Sequence, residues 1–132
     1  MTGQARGTFE VRSWDEKPYA ELGDGRKLTR ASVTQRFTGD IDGEGSVEWL
    51  MFYRTDKTAH FVGLQRVTGA IARRRGTFVL ETSGTYDGTT ARASWSVVTG
   101  SATDELSGLR GRGQYAAGHG STADYTLDYT LE

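Results

Sequence analysis

Two histidines, three glutamates set in strand-like runs and no cysteine are the residues from which this chain could assemble acid–base or metal chemistry. His60 opens one such run and His119 sits in Gly118-His119-Gly120, so neither has the spacing of a metal-ligand set or a nucleophile–base pair. Both read as surface side chains. Glu10, Glu48 and Glu81 matter more, because a carboxyl turned into an apolar interior is desolvated and its raised pKa suits proton transfer. Glu81 is assigned outward by the register given below, whereas the Thr55-Asp56-Lys57-Thr58 turn allows either parity for Glu48 and nothing places Glu10. The absence of cysteine removes thiolate nucleophiles, disulfides and sulfur-ligated metals. Catalytic residues stay unassigned, and no cofactor or metal is expected.

The elements that must position these residues are strands. Eighteen glycines, one proline and alternating runs of Val, Thr, Tyr, Phe and Trp predict segments near 7–14, 27–38, 45–54, 59–72, 76–86, 89–99, 107–117 and 122–131. Eight such segments within 132 residues, with no linker or repeat, predict one domain over 1–132. The fold expected is all-β, a closed eight-stranded antiparallel barrel of lipocalin-like size, because closure removes the exposed edges of an open sheet.

Two turns set the middle registers. Arg73-Arg74 as a two-residue loop pairs Val67 with Leu80 and Gln65 with Thr82, and Asp87-Gly88 pairs Leu80 with Trp95 and Phe78 with Val97. Both place Phe78, Leu80, Thr82, Gly84 and Tyr86 on one face with Val67, Trp95 and Val97, which makes it the lumen. The other face sets Arg66 against Glu81 as a cross-strand ion pair. Near the Arg-rich tip the lumen is filled by large side chains; its other half is lined by Gly63, Gly84, Ala91 and Ala93 and is expected to be open. Gln65 and Thr82 stand at the boundary and could orient a ligand or satisfy each other. Trp49, Tyr53 and Tyr115 either line that space or fill it. The expected ligand-binding set is therefore Gly63, Gln65, Thr82, Gly84, Ala93, Trp95, Trp49, Tyr53, Tyr86 and Tyr115.

The segments Thr8-Phe9-Glu10-Val11, Trp14-Asp15-Glu16-Lys17-Pro18-Tyr19, Phe61-Val62-Gly63-Leu64, Gly76-Thr77-Phe78-Val79-Leu80, Leu106-Ser107-Gly108-Leu109-Arg110-Gly111 and Tyr125-Thr126-Leu127-Asp128-Tyr129 resemble the bacterial domain-of-unknown-function family 3224. That family in turn resembles the allene oxide cyclase barrels, which implies a closed eight-stranded barrel and a homo-oligomer, dimer or trimer, but not their reaction. The family commonly carries Glu at the position of Gln65 and His at that of Thr82. This sequence departs at both, which favours binding, or catalysis by confinement, over proton transfer.

A formal charge of −1 gives no basic field for a nucleic-acid backbone, and the Arg73-Arg74-Arg75 run reads as a solvated hairpin tip. No segment approaches the ~20 apolar residues of a membrane span, and the first residues lack the apolar core of a signal peptide, so the cytoplasm is expected. The functional expectation is a small apolar molecule held in the lumen, with cyclase or isomerase action by confinement. The alternative is a structural or interaction protein whose barrel is filled.

Overall fold

The computed structural model describes residues 1–118 and 122–131. Eight strands, β1 (Thr2–Glu21), β2 (Lys27–Gly39), β3 (Ile41–Tyr53), β4 (Ala59–Ile71), β5 (Arg74–Tyr86), β6 (Ala91–Val97), β7 (Arg110–Ala117) and β8 (Thr122–Thr130), follow one another around a closed antiparallel barrel. Closure is made by β1 against β8, from Thr2 opposite Thr130 to Glu10 opposite Thr122. Burial alternates residue by residue, as the pleat requires. In β3, Ile41, Val47, Trp49 and Met51 point inward while Asp42, Glu44, Glu48 and Leu50 point out. An apolar lumen inside a charged wall reverses the pattern of outer-membrane barrels, and among the described residues no helix is long and apolar enough to cross a membrane.

Both middle hairpins differ in register from the expectation by two residues. The β4–β5 turn is Ala72-Arg73, with φ of 51° and 67°, so Ile71 faces Arg74, Val67 faces Phe78 and Gln65 faces Leu80. Two residues at positive φ are what a type I′ hairpin demands, and the usual Asn-Gly signature is missing here. After β5 the connection is four residues long. Asp87 builds it with its side chain, accepting the Thr89 N–H at 2.9 Å and the Thr90 N–H at 2.8 Å. Those bonds, first from Thr90 and then Thr89, pull the exposed Asp87 carboxyl down to about 2. Tyr86 therefore faces Ala91, and Thr82 faces Trp95. Because both shifts are even, every side chain stays on its expected face. Cross-strand partners change nonetheless. Arg66 lies opposite Val79 and Glu81 opposite Leu64 and Ser96, so the expected Arg66–Glu81 pair is not formed.

The interior divides along the barrel axis. At its centre Phe9, Phe37, Trp95, Tyr115 and Tyr125 form a continuous aromatic cluster, with ring centroids from 5.2 to 6.3 Å apart. The far end is closed by Ile41, Ile71, Leu106 and Leu109, all buried. Leu106 ends a 3-10 turn (Asp104–Leu106) within the β6–β7 connection. That connection pairs with the half of β5 that β6 leaves bare: the Val98 N–H reaches the Val79 carbonyl at 2.9 Å, and the Thr103 N–H reaches that of Thr77 at 2.9 Å.

Candidate functional site

The mouth opposite the closed end is shaped by a break in β1. Val11 pairs with Gln35 and Ser13 with Thr34, leaving Arg12 without a partner on β2. An extra residue in one strand reverses its parity. Beyond the bulge it is the even-numbered side chains that share the lumen face, with Trp14 opposite Val33 and Glu16 opposite Ala31. From Ser13 onward β1 pairs with β2 alone, since β8 meets it only as far as Glu10. This half-strand forms a flap beside the mouth.

Glu16 fastens the flap. Its Oε1 accepts the Trp14 indole N–H at 2.9 Å, and its Oε2 accepts the hydroxyls of Thr29 and Tyr53, each at 2.6 Å. Burial acts to raise the Glu16 carboxyl, but the bonds from Thr29, Tyr53 and Trp14, with the charge of Lys27, outweigh it and hold the group below the usual carboxylate range. Tyr53 moves the other way. Burial first, then the bond to Glu16 and its negative charge, push the phenol well above its ordinary value. The Lys27 ammonium lies 5.1 Å from the centre of the Tyr53 ring.

Below this rim lies a cavity of 280 Å³. Its walls are aromatic, from Phe9, Trp14, Trp49, Tyr53, Phe61, Tyr86 and Tyr115, with Ala91, Ala117 and Ala123 providing the space between them. Trp49 joins two neighbours, its ring centre 5.5 Å from that of Trp14 and 5.5 Å from that of Phe61. No charged side chain lines the cavity among the described residues. Two of the lining groups carry polar atoms that are buried without a hydrogen-bond partner, Trp49 Nε1 and Tyr115 OH. A larger groove of 630 Å³ crosses the outer wall past His60, Ser83, Thr85 and Arg92, but it lies open to solvent and offers no enclosure.

Four of the residues expected to bind a ligand, Trp49, Tyr53, Tyr86 and Tyr115, meet at this cavity. Around Gly63, Gly84 and Ala93 the expected space is occupied instead, whereas Ala91 does line the cavity. A methyl group on Gly63 would stand 2.6 Å from Trp49 Cδ1, and one on Gly84 would stand 2.6 Å from Phe61 Cζ and 2.7 Å from Ala93 Cβ. Small residues here receive large neighbours, and the opening moves toward the rim. Trp95 lies deeper, its indole N–H donating to the Thr126 carbonyl at 3.1 Å.

Gln65 and Thr82 do not satisfy each other. Gln65 donates from Nε2 to Gln35 Oε1 over Gly45 of the strand between them, and the Thr82 hydroxyl, opposite Gly63 and Trp95, is buried without a partner. Neither lines the cavity. Glu10, Glu48 and Glu81 all face outward: Glu10 pairs with Arg12 at 3.2 Å, and Glu48 with Arg30 at 2.7 Å. His60 is exposed, and His119 lies outside the described residues. The carboxylate at the mouth is thus Glu16, which the sequence reading did not single out. Its alternation with Trp14 and Pro18 was the available signal, legible only if β1 was carried past the bulge.

The family described as "Protein of unknown function (DUF3224)" matches residues 5–129. The chain belongs to that family. It is similar over its whole length to a crystal structure of a DUF3224 protein of unknown function from Shewanella oneidensis MR-1, with 28% identity, a TM-score of 0.81 and coverage of 100% of this chain and 98% of the other. No curated protein matches. The expected fold, a closed eight-stranded antiparallel barrel, is the one observed.

Proposed function

We propose that this barrel binds one small, largely apolar molecule in the cavity at its mouth. The observation that carries the reading is the aromatic-walled cavity of 280 Å³, open at the mouth beneath the Trp14–Glu16 rim. An apolar cavity of about 150 Å³ takes up benzene, so this volume suits a molecule of roughly ten to twelve non-hydrogen atoms. A lumen packed by side chains from end to end would leave no such space, which speaks against the structural or interaction reading. Any cyclisation or isomerisation here would rest on confinement. Glu16 already accepts three hydrogen bonds and is held ionised, which makes it a weak base, and Gln65 and Thr82 do not titrate near neutrality.

Native mass spectrometry of the protein purified from its own host tests this. The parent should carry a non-covalent adduct of that size, and Ala91→Phe, which fills the cavity from its wall, should lose it. A parent without adduct, or a variant that retains it fully, contradicts the proposal.

We further propose that a second copy covers the outer wall of β3 and β4, where Leu50, Val62 and Leu64 are 48%, 42% and 56% exposed. Arg66 and Glu81 flank this patch and form no ion pair among the described residues, so a two-fold contact could set each against its opposite on the other copy. Sedimentation at micromolar concentration should show self-association that Leu64→Glu abolishes; a parent that is purely monomeric refutes it.

A further inference from the structure

The apolar ridge on β3 and β4 and the groove of 630 Å³ on the outer wall stand side by side, and strand pairing places them in one row. Arg30, Leu50, Val62, Ser83, Ser94 and Gln114 follow one another from β2 to β7, each opposite the next and each exposed. Along that row the side chains fall from large to small between Val62 and Ser83. Leu50 and Val62 therefore stand proud of the wall, while Ser83 and Ser94 line the groove. In the next row toward the closed end, Leu64 extends the ridge and faces Glu81. A small molecule in this groove would lie open to solvent, and a net charge of −1 gives no field for a nucleic acid. The ridge has the shape the groove would take, but both belong to one continuous sheet, so only the ridge of another copy can reach it.

A symmetric pair needs a surface that complements itself, and a ridge beside a groove does so. The two-fold axis would lie in the contact plane, run along the strands and pass between β4 and β5. Rotation about it lays β4 of one copy on β5 of the other and β3 on β6, with each row kept level. Val62 then comes over Ser83 of the other copy, and Leu50 over Ser94 of the other copy. The charges agree with this placement. Arg66 lies opposite Val79, one row from Glu81, so the same rotation carries it over Val79 of the other copy and beside Glu81 of the other copy. Neither Arg66 nor Glu81 has an ion-pair partner in its own chain among the described residues. Laying β4 on β4 would instead set ridge on ridge and Arg66 against Arg66, a like-charge contact that costs affinity. We propose that two copies of this chain interlock ridge into groove, each seating Leu50 and Val62 over Ser94 and Ser83 of the other. The inference rests on the self-association proposed above and specifies its geometry.

Sedimentation of the full chain at micromolar concentration reads this geometry through exposed positions on the outer wall. Ser94→Trp fills the groove from a strand that carries none of the ridge, and it should shift the protein from dimer to monomer. Arg66→Glu and Glu81→Arg should each shift it the same way, because each brings like charges together across the contact. The double exchange Arg66→Glu/Glu81→Arg restores opposite charges and should return the dimer. Circular dichroism of each variant reads whether the barrel is retained, and if Ser94→Trp does not fold, the charge exchange decides alone. A dimer that survives a folded Ser94→Trp, or a double exchange that associates no better than the single ones, overturns the ridge-in-groove packing while self-association stands. A parent that is purely monomeric overturns both.

Discussion

Gly84 offers a sharp test of how the lumen is filled, because replacing it with alanine adds a single methyl group at a known place. That methyl would lie 2.4 Å from the Arg92 carbonyl oxygen, 2.6 Å from Phe61 Cζ and 2.7 Å from Ala93 Cβ. The carbonyl belongs to the β5–β6 ladder and the Ala93 methyl to the same sheet, so neither can retreat without disturbing that pairing. Phe61 can tilt, but its ring is packed on Trp49 and borders the cavity. The expected cost is that of overpacking a dense core, about 1–3 kcal/mol. With a urea m-value near ~2 kcal/mol/M for a domain of this size, the denaturation midpoint of Gly84→Ala should fall by roughly 1 M. Phe61→Leu in the same background should restore part of the loss by removing one of the three contacts. A midpoint equal to or above the parent's would refute the reasoning, since it would mean that the wall beside Gly84 is open space.

Trp95→Ala should cost about 3–5 kcal/mol and lower Tm by roughly 15 °C, because the ring packs against four aromatic neighbours in the central cluster; a Tm within a few degrees of the parent's would exclude it from the core. Two tyrosines of similar burial should behave oppositely. The Tyr125 hydroxyl accepts the Ile41 N–H and donates to the Thr38 carbonyl, both at 2.9 Å, so Tyr125→Phe should destabilise by about 1–3 kcal/mol, whereas Tyr115→Phe removes an unpartnered hydroxyl and should leave stability unchanged or raised in the absence of ligand. Thermal melts of the two variants side by side decide it. Glu16 predicts an acid limb: its pKa is lowered on folding, so its contribution is complete above its ordinary value of 4.5 and is lost as the pH falls below that through the folded value. Urea midpoints measured from pH 7 down to pH 3 should decline less steeply for Glu16→Gln than for the parent, and identical slopes would deny Glu16 that role.

The barrel was legible because strand parity survives errors in strand register. Phe78, Leu80, Thr82 and Trp95 were placed inward from turns that each missed by two residues, and an even error leaves faces intact. The turns themselves were obscured for separate reasons. Ala72 and Arg73 adopt positive φ without the residues that usually announce it, and Asp87 replaces a two-residue turn with a four-residue loop held by its own carboxylate. Site residues were harder. Glycines at 63 and 84 signal missing volume at their own positions but not whose ring enters it, and the rings that do, Trp49 and Phe61, come from β3 and β4. Glu16 was hidden by parity, since a bulge at Arg12 is one extra residue with no residue type that marks it.

The central claim, that the mouth of the barrel is a ligand cavity and the depth below it is packed core, is tested most directly by a crystal soaked with bromobenzene, whose heavy atom is located by anomalous scattering. The account predicts one strong bromine peak among Trp14, Trp49, Phe61 and Tyr115, and its loss in Ala91→Phe crystals. A soaked parent crystal with no bromine peak in the lumen, or with one in the deeper space beside Gln35, Gln65 and Thr82, would contradict it.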